Sequence, residues 1–277
     1  VVYTSKSPPT RAAVSVRYRG NWFFIADTDE SSLSTFALLN QLSALAAGRV
    51  RVNGATVSDP LHEVGPFDDI YLSAPDATVC LQVARRPRHI LLNKPAGVVT
   101  ACHDLEHPTV IDVLRDSLEA RGEDSGWLAE IHHVGRLDRA TTGALLLTND
   151  GCVSARISAA GLEGPAKRYR MGLEHPLSEI EQESAIAQVR QGVMLEHDPR
   201  PTLPAQLAFL TADQARLTLH EGRHHHVKRL WRSLGNRVVW LHRESVAGLS
   251  LEGLAPGEWR ELTREECSRL GAAQPRG

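Results

Sequence analysis

Apolar positions recur at two different spacings along this chain, and each spacing predicts its own kind of element. Across residues 34–47, Phe36, Leu39, Leu42 and Leu45 recur at three-residue steps and Gly48 follows, the pattern of an amphipathic helix with a glycine stop. Two short runs, Arg49-Val50-Arg51-Val52 and Ala55-Thr56-Val57, then flank Asn53-Gly54. That dipeptide tolerates positive φ, so a tight β-hairpin is expected. Upstream, Trp22-Phe23-Phe24-Ile25 reads as a short strand, while the rest of residues 1–30 carries little periodic signal and stays unassigned. From about residue 89, apolar runs at 90–93, 144–148 and 169–173 are bounded by turn residues and read as buried strands. Ser178 with Glu181, and Thr263 with Glu266, fit capping boxes, in which hydroxyl and carboxylate each satisfy an orphan helix N–H. The first opens a helix expected to end at Arg190 or Gln191 before Gly192, and the second opens a short final helix. Val227, Leu230, Trp231 and Leu234 have the spacing of a core-facing helix that Gly235 stops.

Strands and helices of this kind make an α+β protein, and 277 residues allow one large domain or two of unequal size. A hydrophobic fraction of 42% with 23% charged residues is ordinary for a soluble globular chain. No apolar run approaches the roughly 20 residues needed to span a bilayer. Residues 1–10 lack the charged-then-apolar order of a signal peptide, so a cytoplasmic protein with no membrane partner is expected. The four cysteines lie far apart without a CxxC pair, which speaks against a disulfide framework or a thiolate zinc site. A net charge of −2 gives no global sign of a nucleic-acid partner, so the local distribution decides.

The densest chemical signal is the run from Val134 to Gly151, GRLDRATTGALLLTNDG after its valine. It sets Arg136 and Asp138 on a turn bracketed by Gly135 and Gly143 and followed by an apolar strand. Taken alone, such an aspartate is most often a turn residue making a local hydrogen bond. The whole string, however, resembles the hallmark motif of the pseudouridine synthases, in the branch that acts on ribosomal RNA. Other segments agree in order: LLNKPAGVV at 91–99, HPTV at 107–110, Lys167-Arg168-Tyr169, EGRHHHVKRL at 221–230, and the closing stretch from Gly235 through Leu241-His242-Arg243-Glu244 to Trp259. The resemblance covers residues 50–266 and is nearest to the enzymes of the small (16S) subunit, with the large-subunit (23S) enzymes as the alternative. It implies a catalytic domain with a mixed, mostly antiparallel sheet over residues 89–277. Residues 31–74 resemble a degenerate S4-like RNA-binding module of α/β type, joined by a linker at 75–88. The degeneracy lies in residues 31–48, which hold no basic side chain.

The resemblance makes Asp138 the catalytic carboxylate, Tyr169 the residue against the target base, and Lys228 the basic partner of the aspartate. Without it, Tyr169 is a buried strand aromatic and Lys228 an exposed helix lysine. It places Arg136 near the flipped nucleotide, although a structural cap or ion pair is equally open, and Lys94 on a loop that could meet phosphate. Between Glu221 and Glu244 there is no acid, while Arg223, Lys228, Arg229, Arg232, Arg237 and Arg243 supply positive charge. That one-sided cluster favours an anionic ligand, with RNA the candidate and His226 either beside it or simply packed. Three consecutive histidines, His224 to His226, cannot all face one ion, so no metal is expected. The implied reaction isomerises a uridine and needs no cofactor. The expected partner is ribosomal RNA or a partly assembled small subunit, met by a monomer. A non-catalytic assembly factor on the same fold, or a glycosidase using Asp150 as a second carboxylate, are the competing readings.

Overall fold

Asn53 and Gly54 both take positive φ, 54° and 81°, and this two-residue turn joins β4 (Val50–Val52) to β5 (Ala55–Val57) as the sequence predicts. The computed structural model describes residues 3–10, 14–18, 21–25, 44–45, 47–73, 78–159, 161 and 164–273, and the chain falls into two units, Val1–Arg86 and Pro87–Gly277. The first unit opens with an antiparallel sheet, order β1-β3-β2, of Tyr3–Ser5 (β1), Val14–Tyr18 (β2) and Asn21–Ile25 (β3). Only β3 is foreshadowed by an apolar run. Of the helix expected over 34–47, Ala44 and Leu45 are helical and most of the rest lies outside the described residues.

The hairpin belongs to a second sheet, order β5-β4-β6-β7, completed by Ile70–Ser73 (β6) and Thr78–Gln82 (β7). Strand β7 occupies part of the segment expected as linker. It is an exposed edge strand held by backbone pairing, so its side chains carry no burial pattern for a sequence reading to detect. Gln82 at its end donates to the carbonyls of Gly65 (2.8 Å) and Asp68 (2.9 Å), and the boundary between units falls later, at Arg86.

The second unit is built on one mixed, mostly antiparallel sheet with the path β12-β13-β11-β14-β10-β8-β16. Its strands are His89–Lys94 (β8), His132–Val134 (β9, on β10), Thr142–Thr148 (β10), Lys167–Leu173 (β11), Gln206–Thr211 (β12), Gln214–Leu219 (β13), Val238–Val246 (β14), Leu249–Ser250 (β15, on β14) and Trp259–Glu261 (β16). Only β10 and β14 run parallel among the described pairs of this sheet. The central strands are buried on both faces, which is why their sequences read as continuous apolar runs rather than alternating ones.

Alternation still sorts the side chains between the two faces. Ile90, Leu92, Leu145 and Leu147 join helices α1 (Val110–Ala120), α3 (Glu179–Gln191) and α4 (His226–Ser233) in the larger core. Leu91, Ala144 and Leu146 face α2 (Gly151–Ser158) and α5 (Arg264–Leu270). Each fully buried leucine contributes about 1.5–3 kcal/mol, so both faces lock the sheet that carries the site.

Both expected capping boxes form, at Ser178/Glu181 and Thr263/Glu266. Helix α3 ends at Gln191, and a Cβ on Gly192 (φ 96°) would lie 2.4 Å from the Thr202 carbonyl oxygen, so only glycine fits there. Helix α1 was not anticipated: its box pairs Thr109 with Asp112, a shorter acid than the glutamate of the usual signature.

Candidate active site

The segment from Gly135 to Thr141 links β9 to β10, and its backbone is pinned from three directions. Thr100 Oγ1 donates to the Leu137 carbonyl (2.8 Å) and accepts from the Leu137 N–H (3.2 Å). Gly97 N–H donates to the Arg139 carbonyl at 2.9 Å, and Thr141 N–H closes the turn onto the Asp138 carbonyl at 2.9 Å. From below, the Lys94 ammonium donates to the carbonyls of Pro95 (2.9 Å), Arg139 (3.2 Å) and Thr141 (2.9 Å). This overturns the expectation that Lys94 meets RNA. Its side chain is fully buried with all three protons engaged, and burial pushes its pKa down to about 8 against the opposing pull of Asp138.

With its backbone held, Asp138 presents a half-buried carboxylate to the first turn of α4. Lys228 Nζ lies 2.5 Å from Oδ2, and His225 Nε2 lies 3.4 Å from Oδ1. His225 can reach because it caps α4 in the left-handed region, φ 50°, with its ring stacked on His224. These groups line a cavity of ≈ 690 Å³, the size range of small-ligand sites. Tyr169 lines the same cavity from β11 and is 8% exposed. The structure thus brings together Asp138, Tyr169 and Lys228 from three separate segments. Arg136 is exposed on the cavity wall. Arg232 is exposed one helical turn beyond Lys228.

Three other cations proposed for RNA are committed elsewhere, and His226 carries no charge. Arg243 is buried: Nε donates to the Ala144 carbonyl (2.6 Å) and Nη1 reaches Tyr169 Oη at 3.5 Å, so it backs the tyrosine instead of facing a phosphate. Arg223 is spent on Glu221 (3.0 Å), Asp198 (3.0 Å) and the Arg200 and Pro201 carbonyls. Arg229 pairs with Asp198 at 3.3 Å and donates to the Glu196 carbonyl. His226 is buried beside Glu221, and desolvation pushes its pKa down to about 4, so it is neutral at pH 7. Besides Glu221, the acid that neutralises this segment is Asp198, which a reading confined to 221–244 cannot see.

Thr100 and His225 are the site residues that sequence reasoning missed. A threonine gripping a loop and a histidine within a run of three carry no distinguishing pattern. Lys167, 8% exposed on the cavity wall, has its pKa lowered by burial and by Arg243, with Glu221 opposing. Asp150 is no second catalytic carboxylate: it caps α2, accepting from Cys152 N–H (2.9 Å) and Val153 N–H (3.3 Å).

Comparison with known proteins gives this geometry a context. Residues 88–233, which contain Asp138, Tyr169 and Lys228, match the family model described as RNA pseudouridylate synthase. The chain belongs to the RNA pseudouridylate synthase family. It is 38% identical over 229 residues to the ribosomal small subunit pseudouridine synthase A of Yersinia pestis, covering 82% of this chain and 90% of that one. It is 37% identical over 247 residues to the protein of the same name from Pseudomonas aeruginosa, covering 88% and 97%. A solved pseudouridylate synthase superposes with a TM-score of 0.58 at 32% identity, over 84% of this chain and 93% of the other. Among pseudouridylate synthases the arrangement has a plain chemical use. A carboxylate, an aromatic ring and a cation converge in a space that one extruded nucleotide can occupy.

Proposed function

We propose that this pseudouridine synthase converts one uridine of small-subunit (16S) ribosomal RNA to pseudouridine, with Asp138 as the catalytic carboxylate. The observation that carries the reading is the Asp138–Lys228 pair at 2.5 Å on the wall of the cavity that Tyr169 lines. The reaction breaks the N1–C1′ bond, turns the uracil and joins C5 to C1′; C5 releases a proton and N1 takes one up. Atoms and oxidation state are conserved, so no redox partner enters.

Lys228 occupies Oδ2 of Asp138, and Oδ1, which His225 approaches only to 3.4 Å, meets the electron-poor C1′ as the glycosidic bond opens, the role carboxylates play in glycosidases. Tyr169 supplies a flat apolar surface for the extruded base and a hydroxyl for the C5 proton. Arg136, exposed at the wall, serves the flanking phosphate. The N-terminal unit acts as an S4-like RNA-binding module, and the enzyme works as a cytoplasmic monomer on rRNA or a partly assembled small subunit. The names of the relatives and the order of the shared motifs support the small subunit as target.

The test is pseudouridine mapping in the rRNA of cells lacking the gene, complemented with wild type or Asp138→Asn. Loss of one 16S pseudouridine, restored by wild type and not by the variant, is expected. Restoration by Asp138→Asn would overturn the mechanism, and a changed site confined to 23S rRNA would overturn the substrate.

A further inference from the structure

Beside the catalytic cavity lies a second hollow of ≈ 460 Å³, and Lys228 lines both. Its wall is formed by the exposed end of α4 and by two loop pieces, Glu174-His175 after β11 and Asn236-Arg237 before β14. Asn236 welds these pieces together. Its side chain is buried, Oδ1 accepts from the N–H groups of Arg237 (2.7 Å) and His175 (3.3 Å), and Nδ2 donates to the His175 carbonyl (2.8 Å). Glu174 N–H adds a bond to the Arg237 carbonyl at 2.8 Å. The hollow is therefore a built surface.

Its charge is one-sided. Lys228 is already paired with Asp138 in the adjoining cavity, which leaves Arg232 and Arg237 to face one acid of the groove, Glu174. Arg232 is exposed, and no acid stands within ion-pair distance of it among the described residues. The Arg237–Glu174 pair is 3.5 Å long between side chains 74% and 39% exposed, a geometry worth little in water. Of the other cations proposed for RNA, Arg223 and Arg229 are consumed by Asp198, and Arg243 and Lys94 by buried carbonyls, while Arg136 stays exposed on the cavity wall. Lys228 and Arg232 stand at i and i+4, one helical turn or about 6 Å apart on one face of α4. A strand whose uridine enters the cavity beside Lys228 passes this row within one nucleotide.

We propose that this groove is a phosphate subsite, in which Arg232 and Arg237 grip the RNA backbone next to the extruded uridine. The proposal rests on the reading of the cavity as the uridine pocket. Contacts of this kind read no base; they hold the strand in place and make association depend on salt.

The test measures kcat/KM on deproteinised rRNA from the deletion strain against potassium chloride concentration. It compares wild type, Arg232→Gln, Arg237→Gln, the double variant and Arg190→Gln, an exposed arginine at the end of α3 used as control. Each single variant should flatten the log–log salt slope by about 0.7 and the double by about 1.4, through KM with kcat unchanged. The control should keep the wild-type slope. Slopes equal to wild type in the groove variants, an equal drop in the control, or a loss confined to kcat would each overturn the subsite. Wild type that modified neither this RNA nor partly assembled small subunits from the same strain, on which the salt series is run if they alone react, would overturn the reading of the cavity itself and the groove's occupant with it. Thermal unfolding of each variant, expected to match wild type, separates lost grip from lost fold.

Discussion

Gly143 closes the motif that carries Asp138, and it sits where β10 runs parallel to β14, opposite Arg243. Its φ is +110°, and a Cβ there would lie 2.3 Å from the Arg243 carbonyl oxygen, 2.6 Å from its nitrogen and 2.9 Å from its carbonyl carbon. Ordinary Cβ contacts begin at 3.4 Å, so the two strands must part by about an ångström to admit one methyl group. All three atoms are backbone, so no side chain can swing aside. Gly143→Ala therefore combines positive-φ strain, about 1–3 kcal/mol, with overpacking, about 1–3 kcal/mol. The sum, about 2–6 kcal/mol, is a large share of the total stability of an ordinary domain. Gly135 supplies the internal control. It begins the same loop with φ +70°, but a Cβ there would meet nothing within 4 Å, so Gly135→Ala carries only the conformational cost of about 1–2 kcal/mol. Urea unfolding of the two variants, followed by tryptophan fluorescence, should place Gly143→Ala about 2–3 kcal/mol below Gly135→Ala. Equal losses would refute the argument that the β10–β14 approach, and not the backbone conformation, makes glycine necessary. Full activity in Gly143→Ala would refute the view that this approach positions Asp138.

Two further outcomes follow from the cavity and its surroundings. His226 has a folded pKa of about 4 against an ordinary value near 6.5, so between those values the unfolded chain binds the proton that the folded chain refuses. Stability should therefore be fully present above pH 6.5 and fall by about 3 kcal/mol as the pH drops to 4; His226→Leu should abolish that component, and an unchanged acid profile would contradict it. Tyr169→Phe keeps the stacking ring and removes the hydroxyl, so kcat on rRNA should fall by about 10²–10⁴-fold with KM nearly constant, whereas a rise in KM alone would deny the hydroxyl a part in proton removal.

Elements announced by local chemistry were legible in the sequence: the Asn53-Gly54 turn, the boxes at Ser178 and Thr263, and the apolar runs of β8, β10 and β11. Strand β7 was not, because an edge strand with exposed side chains has no burial to encode. Of the site, the trio Asp138, Tyr169 and Lys228 was reached through its motifs, while the cations around it were misjudged. In a linear reading Lys94 and Arg243 look like surface charges. What buries them is a set of acceptors, the carbonyls of Arg139, Thr141 and Ala144, that every residue type possesses and no sequence displays. Arg223 and Arg229 looked unopposed because Asp198 lies outside their stretch and reaches them only through the fold.

The position of β14 has a consequence for how the enzyme comes into being. This strand lies between β11 and β10, so Tyr169 on one side and Gly143 on the other are both spaced from the backbone of Arg243. It is nevertheless made late, emerging from the ribosome some hundred residues after Asp138. Until it inserts, the two halves of the catalytic centre belong to strands with no common neighbour, and their apolar edges stay open. Chains interrupted before Val238 should thus be inactive and prone to associate through those edges. The gap between the strands that carry Tyr169 and Gly143 is closed by that single strand, so the site is complete only once it is in place.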